Sequence, residues 1–411
     1  MEDWKEYRLD ELYVFGNGLS KGSKYFGYGH PFVSFKTVFN NYFLPEELSD
    51  YVDSDEKEQT KCSVQKSDVL LTRTSETVNE LGYSCVALRD YPKSTFNGFC
   101  KRMRPITEGI IHDLYAGYYF RSSHFRNQVC SMSNMVTRAS LSNEMLGRLT
   151  IKLPSYKTQT QIGELLFSID RKIALNRKIN YNLEQQAQAL YKSWFVDFEP
   201  FKDGEFVESE MGEIPVGWTV VKLSDLTEIP KKTINPQRFP DTIFKHYSLP
   251  ACDNGLIPEN QTGKDIMSNK IILQNNTTLF SKLNPRIKRI WFTCEVQPNS
   301  ICSTEFIPYR ATNENESGYI FSIINSEAFY ASVMGCVNGA TGSHQRFHAE
   351  DTDDFLCAYN KEAANEFSQH IDVILKQMHD LRQENVKLAS IRDTLLPKLM
   401  SGELKINEID C

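Results

Sequence analysis

Residues 160–198 read TQIGELLFSIDRKIALNRKINYNLEQQAQALYKSWFVDF. Apolar or amide side chains recur there in alternating steps of four and three, from Ile162 to Trp194, which is the a/d pattern of a coiled-coil helix. The same pattern returns from Phe367 to Leu399, and a constant shift of 205 residues superimposes the two stretches. The sequence therefore predicts two long helices that pack against each other, and their connectivity favours antiparallel packing.

The predicted contact between the helices is made by side chains at equivalent seam positions. The first helix contributes Ile169, Ile173, Asn180, Leu183 and Leu190, and the second contributes Ile374, Met378, Asn385, Leu388 and Leu395. Asn180 and Asn385 occupy equivalent positions, where a polar residue lowers stability but can fix register and partner choice. The alternative is that each helix only completes the core of its own domain. So long and regular a seam favours the paired interpretation.

Other motifs repeat with a similar spacing. Trp4 and Trp218 open matching segments with a shift of 214 residues, and residues 70–73 match 279–282 with a shift of 209. Small loop deletions in the second half would shorten the repeat spacing in this way, from 214 residues toward the 205 residues that separate the two helices. The predicted order is therefore domain, helix, domain, helix, with the halves related by an approximate two-fold axis.

Each domain is predicted to be mixed α/β, because short β-rich runs alternate with turn residues and no regular βαβ pattern appears. The predicted fold class is α+β: two similar domains joined by two long antiparallel coiled-coil helices, as a pseudo-two-fold internal repeat. The predicted segments are a first domain (1–156), a central helix (157–198), a linker rich in Pro, Gly and Glu (199–216), a second domain (217–362), a C-terminal helix (363–403) and a tail (404–411).

Composition is that of an ordinary globular protein. Hydrophobic residues make up 40% and charged residues 24% of the 411 positions. No apolar run approaches the length of a membrane span, and the N-terminus does not resemble a signal peptide. The ten cysteines occur singly, without a Cys-x-x-Cys pair, which argues against a zinc site and favours reduced thiols in the cytoplasm.

Charge is sorted into blocks along the chain. The net charge is −7, which by itself disfavours a nucleic-acid binder. Residues 97–160 nevertheless hold nine basic and three acidic side chains, and residues 264–310 hold seven basic and three acidic ones. Such blocks can form local positive faces on an acidic protein, although a basic block is more often just a solvated surface.

Motifs of catalysis are missing from the sequence. It contains no Gly-x-x-x-x-Gly-Lys-Ser/Thr loop, no Gly-x-Gly-x-x-Gly turn and no His-Glu-x-x-His pair. Asn235-Pro and Asn284-Pro lack the second Pro and the aromatic residue of an Asn-Pro-Pro-Tyr methyltransferase motif. The sequence does not exclude a pair of catalytic carboxylates that the fold brings together. The chain is therefore interpreted as a protein that recognises a ligand rather than as a catalyst.

Polar clusters flanked by glycine or turn residues are the candidates for DNA contact. Arg and Lys suit guanine edges and phosphates, Gln and Asn suit adenine, and Ser and Thr suit either. For each side chain, an ordinary exposed loop position is an equally good explanation. The candidates are Lys21, Ser23, Lys24, Arg73, Ser75, Thr137 and Arg138 in the first half, and Lys231, Lys232, Lys282, Arg286, Lys288, Arg289, Ser343, Gln345 and Arg346 in the second.

The helix motifs carry a specific family resemblance. Residues 173–184 (IALNRKINYNLE), 189–198 (ALYKSWFVDF) and 388–404 (LASIRDTLLPKLMSGEL) resemble the helical regions of type I restriction–modification specificity subunits. Residues 68–77 and 341–346 are similar to motifs within that family's recognition domains. The resemblance covers nearly the whole chain.

The resemblance implies two target-recognition domains, each reading one half of a bipartite, asymmetric double-stranded DNA sequence, and paired helices that set the gap. It also implies partners: two modification (methyltransferase) subunits that use S-adenosylmethionine, and restriction subunits that use ATP and Mg²⁺. The chain itself is expected to be non-catalytic and to hold no cofactor or metal. The alternatives are a coiled-coil scaffold whose domains bind proteins, and a self-contained nuclease or methyltransferase.

Overall fold

The structure is a computed structural model that describes residues 4–75, 80–132, 139–337 and 345–406. The chain folds into two compact units. Unit 1 comprises Met1–Lys172 with Lys387–Cys411, and unit 2 comprises Ile173–Val386. The division falls inside both long helices, so each unit contains one segment of each helix.

The helices of the described residues are two long ones and ten short ones. In chain order they are α1 (Leu9–Leu12), α2 (Phe35–Asn40), α3 (Glu56–Lys61), α4 (Asp113–Tyr119), α5 (Ser123–Met132), α6 (Asn143–Gly147), α7 (Tyr156–Phe195), α8 (Leu223–Leu226), α9 (Leu249–Asp253), α10 (Ser317–Asn325), α11 (Glu327–Cys336) and α12 (Lys361–Ser401).

The strands are short in both units. In unit 1 they are β1 (Lys5–Arg8), β2 (Tyr13–Asn17), β3 (Phe26–Val33), β4 (Asp50–Val52), β5 (Val69–Thr72), β6 (Thr74–Ser75), β7 (Ser84–Val86), β8 (Thr95–Phe96), β9 (Cys100–Pro105), β10 (Ala139–Ser140) and β11 (Thr150–Leu153). In unit 2 they are β12 (Phe206–Ser209), β13 (Gly212–Pro215), β14 (Thr219–Lys222), β15 (Thr227–Glu228), β16 (Thr233–Ile234), β17 (Ile243–Tyr247), β18 (Glu259–Thr262), β19 (Lys270–Ile272), β20 (Thr277–Ser281), β21 (Ile290–Thr293), β22 (Ser300–Ser303), β23 (Phe306–Ala311) and β24 (Leu356–Tyr359).

Unit 1 is built on two sheets. The four-stranded sheet has the order β2-β9-β5-β7, and all its neighbours are antiparallel. The three-stranded sheet has the order β4-β3-β8, in which β3 is parallel to β8. A separate pairing of β1 with β11 closes the domain next to the start of α7.

Unit 2 repeats this plan. Its four-stranded sheet has the order β15-β23-β20-β21, and β14 pairs with β24 as β1 pairs with β11. The second sheet again contains a parallel pair, β17 with β22, and it is extended by β19 and β16. The predicted internal repeat of two mixed α/β domains is confirmed.

The two long helices pack antiparallel within each unit. In unit 2, Asn176 of α7 bonds to Asn385 of α12, whereas Phe195, later in α7, stacks edge-on against Phe367, earlier in α12. Seam side chains such as Leu183 also belong to the core of their own domain. The paired seam is therefore confirmed, and the alternative is partly right, because the helices complete the domain cores as well.

Two elements differ from the sequence-based expectation. The sequence predicts a helical stretch around residues 114–129, and the structure has two helices there, α4 and α5, with the same two-helix arrangement in unit 2 in α10 and α11. All nine residues of α10 are buried, so it has no amphipathic period that could reveal it. The segment 199–216 holds a β12–β13 hairpin, in which Gly212 adopts a φ of +91° at the turn.

Helix ends follow the expected signals. Pro154 separates β11 from α7, and Gly402 follows α12 with a φ of +75°. A Cβ on Gly402 would lie 3.0 Å from the Trp4 ring, so close packing also requires glycine there. Pro397 lies inside α12. A proline late in a helix predicts a kink of its last turn, and that kink stays a prediction. Through the described ranges, every helix is too short or too polar to cross a bilayer.

Candidate nucleic-acid interface

Eight of the sixteen candidate residues lie around one corner of each unit, which we call the strand-end corner. In unit 1 it comprises Asn17, Lys101 and residues 73–75, 97–99 and 139–143, and in unit 2 residues 282–289, 303–305 and 345–346. The first residue after the central strand donates its backbone N–H to the turn before the neighbouring strand: Arg73 to the Phe99 carbonyl and Lys282 to the Glu305 carbonyl, both at 2.9 Å. The same framework thus presents different side chains.

In unit 1 the corner contains two cations. Arg73 donates its Nε to the Gly98 carbonyl at 2.9 Å, and its own carbonyl accepts from the Leu141 N–H at 2.9 Å. Lys101, which is 4% exposed, donates to Asn17 Oδ1 at 2.6 Å and Asn143 Oδ1 at 2.5 Å. Burial, and then the charge of Arg73, lower the pKa of Lys101.

In unit 2 the corner is closed by an ion pair. Arg346 contacts the Glu305 carboxylate with two nitrogens at 3.0 and 3.2 Å, and a β-bridge joins it to Leu283. The Gln345 carbonyl accepts from the Asn284 N–H at 2.8 Å. Half of the Arg346 side chain is exposed, so one face of its guanidinium remains accessible.

Two further candidates on this loop are held by the domain. Arg289 makes a bidentate pair with Asp253 at 2.6 and 2.9 Å, and that hydrogen bond raises the pKa of Arg289. Lys288 donates to the Asn325 carbonyl at 2.7 Å, and burial lowers the pKa of Lys288. Both therefore support the fold, and their contact with DNA stays a prediction.

The glycine-rich segment before β3 carries the remaining candidates of unit 1. Lys21 forms an ion pair with Glu58 at 2.7 Å and donates to the Asp53 carbonyl at 2.6 Å, and the bond to Glu58 raises the pKa of Lys21. Ser23 and Lys24 begin a 3₁₀ turn and are exposed. Of the three, Ser23 and Lys24 have the more accessible side chains.

The other basic candidates of unit 2 lie at the surface. Lys231, Lys232 and Arg286 are exposed, and Lys282 is half-buried. Thr137, Arg138 and Ser343 lie outside the described residues, and of Ser75 only the backbone pairing with Ala139 is described. Contact of these side chains with DNA remains a prediction.

The helix seam contains polar contacts in both units. All ten predicted seam residues are buried or half-buried. In unit 2, Asn176 donates to Glu384 at 2.7 Å and to Asn385 at 3.0 Å, so the partner of Asn385 is Asn176 rather than the equivalent Asn180. In unit 1, Arg392 donates to Asp170 at 2.6 Å.

Comparison with known proteins shows which proteins the chain is similar to. The family described as "Type I restriction modification DNA specificity domain" matches residues 1–185. The type I restriction enzyme MjaIX specificity subunit of Methanocaldococcus jannaschii is 24% identical over 99% of this chain and 95% of its own length. The HindI specificity subunit of Haemophilus influenzae is 22% identical over 98% of this chain and its entire length.

Over nearly its whole length the chain is similar to type I restriction–modification specificity subunits. A solved S subunit from M. genitalium shares the fold of this chain, with a TM-score of 0.58 and 14% identity over 97% of this chain and 96% of that one.

Sequence reasoning missed the polar residues that organise the strand-end corner of unit 1. Lys101 lies in β9 between Cys100 and Arg102, and Asn17 is separated from it by more than 80 positions. The signal that could have revealed them is the pairing of β2 with β9, because it sets Asn17 opposite Lys101. Without that register, a lysine in a strand is indistinguishable from a surface residue.

Proposed function

We propose that this chain is the DNA sequence-specificity subunit of a cytoplasmic type I restriction–modification complex. Each domain binds one half of a bipartite, asymmetric target in double-stranded DNA. The paired helices set the gap between the half-sites and dock two modification subunits, to which restriction subunits are added. The chain contributes recognition only, and the partner subunits use S-adenosylmethionine, ATP and Mg²⁺.

The observation that carries this proposal is that both units share one sheet framework but present different side chains at the strand-end corner. The order of the four-stranded sheet and the parallel strand pair of the second sheet match between the units, whereas the corner side chains do not: unit 1 has Arg73 and Lys101, and unit 2 has Lys282 and Arg346. Phosphate contacts position a protein on DNA, and contacts to base edges specify the sequence. Two similar frames with different contact residues suit two different half-sites.

Exposed cations on both units support DNA as the ligand. Lys24, Lys231, Lys232 and Arg286 are exposed at the surface of their units, within an otherwise acidic chain. Local positive charge attracts the phosphate backbone and gives binding that weakens steeply with salt.

Exposed apolar residues on the long helices support docking of partner subunits. Leu175 and Tyr181 on α7 are 52% and 62% exposed, and Val373 and Ile391 on α12 are 68% and 49% exposed. Large apolar side chains on the outside of a helix pair are typical of sites that another helix covers. We therefore assign these faces to the modification subunits.

The proposal is tested by measuring DNA binding of the chain with its modification subunits against salt concentration. A DNA reader loses affinity by orders of magnitude between about 50 and 200 mM salt, because phosphate contacts release counterions. A protein-binding scaffold shows no such dependence and no preference for one duplex over another.

The third candidate, a self-contained enzyme, is tested on the purified chain alone. We expect no cleavage with Mg²⁺ and no methyl transfer with S-adenosylmethionine. Within the ranges that the structure describes, no group of three or more His, Cys, Asp or Glu side chains is arranged to hold a metal ion. Methylation by the chain alone would contradict the proposal.

A further inference from the structure

Lys101 is an unusual core residue. It is 4% exposed, and its ammonium donates to the side-chain oxygens of Asn17 and Asn143 at 2.6 and 2.5 Å. Among the described residues, no carboxylate lies within 4.0 Å of its nitrogen. A buried cation that is held only by neutral amides is expensive, since nothing balances its charge.

The fold does not require a cation at this position. The register with the central strand sets Lys101 opposite Leu71 in unit 1, and the corresponding register in unit 2 sets Ile307 opposite Phe280. Ile307 is 4% exposed and apolar, so an isoleucine fills the matching site of the same sheet. Stability alone would favour an apolar side chain, so the charge of Lys101 serves another role.

The geometry has a direct consequence for the two asparagines. An ammonium can only donate, so it holds both carboxamide oxygens inward. The two NH₂ groups are consequently directed away from Lys101. Asn17 and Asn143 are both exposed residues, at the end of β2 and the start of α6. The corner of unit 1 thereby presents two neighbouring hydrogen-bond donors to solvent, beside the guanidinium of Arg73.

We propose that Lys101 is a positioning residue that makes Asn17 and Asn143 a donor-only pair for acceptor atoms on DNA. The acceptors are the O6 and N7 atoms of guanine or the oxygens of a phosphate group. This inference rests on the proposed function, and it names the residues of unit 1 that read one half-site.

The arrangement also makes adenine a poor ligand. Asparagine normally reads adenine with its NH₂ and its oxygen together, donating to N7 and accepting from N6. Lys101 binds the oxygen that this pairing requires. Guanine presents two acceptors in the major groove, which matches two outward donors.

The sharpest variants are Asn17→Asp and Asn143→Asp. A carboxylate keeps the bond to Lys101 and gives it an opposite charge, so the fold is retained, but the outward donor is lost. We expect each variant, assembled with its modification subunits, to bind the target about tenfold more weakly. Asn127→Asp, an exposed residue of α5 with the same change in charge, is the matched control and should change affinity by less than about twofold.

Modified DNA distinguishes the two kinds of acceptor. If the donors contact guanine, 7-deazaguanine at the contacted position weakens binding of the wild type and leaves binding of the Asn17→Asp variant unchanged. If they contact phosphate, methylphosphonate at the contacted linkage has that effect instead. Either result supports the donor pair and identifies its ligand.

Lys101→Met supplies a readout that a structural role would not change. Without the ammonium, the two asparagines are free to turn and to accept from adenine. Selection from a randomised half-site should then show a shift from guanine toward adenine at the contacted base pair, or, for phosphate contact, a uniform loss of affinity. Lys101→Arg, which also only donates, should retain the wild-type preference.

Failure of this inference differs from failure of the proposed function. If the wild-type complex shows no preference for its methylated target over a scrambled duplex, both fail. If the wild type binds its target and the two Asp variants bind with unchanged affinity and preference, only the donor pair is overturned.

Discussion

Unit 1 and unit 2 build the same four-stranded sheet order, yet they bury different groups at matching positions. Arg121 in unit 1 donates to the carbonyls of Val38, Phe39 and Ser84, whereas Asn325, at the matching position of unit 2, has no hydrogen-bond partner for either amide atom among the described residues. Lys101 and Ile307 also occupy matching buried positions, but Lys101 is a cation and Ile307 is apolar. The framework therefore depends on its strand ladder and helix seam, and individual buried groups are free to vary.

This difference suits a protein that needs two readers of different sequences. Shared backbone hydrogen bonds hold the corner in place, as at Arg73 and Lys282, and the side chains that the corner presents can change without loss of the fold. The experiments below test the comparison between the units, from the largest expected effect to the smallest.

The largest effect is expected from lengthening both helices. One heptad inserted in α7 after Lys172 and one in α12 after Val386 adds about 10 Å of helix, close to three base pairs of DNA. If the paired helices set the gap, the methylated target should keep both half-sites and gain about three base pairs between them. Affinity for the original target should fall more than about 100-fold. Methylation mapping with the assembled complex gives the half-sites and the gap. An unchanged gap would contradict the proposal that the paired helices set it.

The next largest effect is expected from removing the polar contact in the helix seam of unit 1. Asp170 and Arg392 are each about one-fifth exposed and lie 2.6 Å apart, and Asp170 also accepts from the Tyr118 hydroxyl at 2.6 Å. Asp170→Ala removes the shielded partner of the Arg392 guanidinium and leaves only an exposed carboxylate beside it, so the free energy of unfolding should fall by about 3 kcal/mol.

The matched control for this variant is Asp393→Ala. Asp393 contacts the same guanidinium at 2.8 Å but is 62% exposed, so its removal should cost less than about 0.5 kcal/mol. Denaturant titration of both variants gives the comparison. Equal losses would show that burial does not set the strength of these pairs.

A smaller effect separates two buried tyrosines at matching positions. The Tyr319 hydroxyl donates to the Ala358 carbonyl at 2.7 Å, whereas the Tyr115 hydroxyl has no partner among the described residues, and burial raises the pKa of both phenols. Tyr319→Phe should destabilise by about 1–1.5 kcal/mol. Tyr115→Phe removes an unsatisfied group and should leave stability unchanged or raise it by about 1 kcal/mol. Equal losses in both variants, measured by thermal unfolding, would be inconsistent with this difference.

The smallest effect concerns Asp372 of α12, whose helix-repeat counterpart is Phe167 of α7. Burial raises the pKa of Asp372 to about 6. The folded state therefore holds its proton to a higher pH than the unfolded chain, in which aspartate titrates near 3.9. Wild-type stability should fall as the pH rises from about 4 to about 6, and Asp372→Asn should escape this fall, gaining about 1 kcal/mol relative to wild type at pH 7. Parallel stability profiles of the two proteins against pH would refute the assignment.

Much of the fold was predictable because its signals are local or periodic. The heptad pattern identified α7 and α12, and the repeat of Trp4 at Trp218 identified the two domains. The helix α10 was not predicted, since a helix that is buried on every side has no period. The pairing of Asn176 rather than Asn180 with Asn385 depends on helix stagger, which the heptad pattern does not specify.

The candidate site was less predictable for a related reason. A list of basic residues does not say which of them are already paired within the fold. Arg289 meets Asp253 and Lys21 meets Glu58 across more than 30 positions, and only the folded chain brings these partners together. Lys101 shows the converse, since its importance depends on two asparagines that are distant in sequence.

The central claim is that two related domains read two independent half-sites. The most direct measurement exchanges residues 217–362 for the second domain of another specificity subunit and maps the methylated adenines produced by the assembled complex. We predict that one half of the recognised sequence changes and that the other half and the gap are retained. A change in both halves, or in neither, would contradict the account.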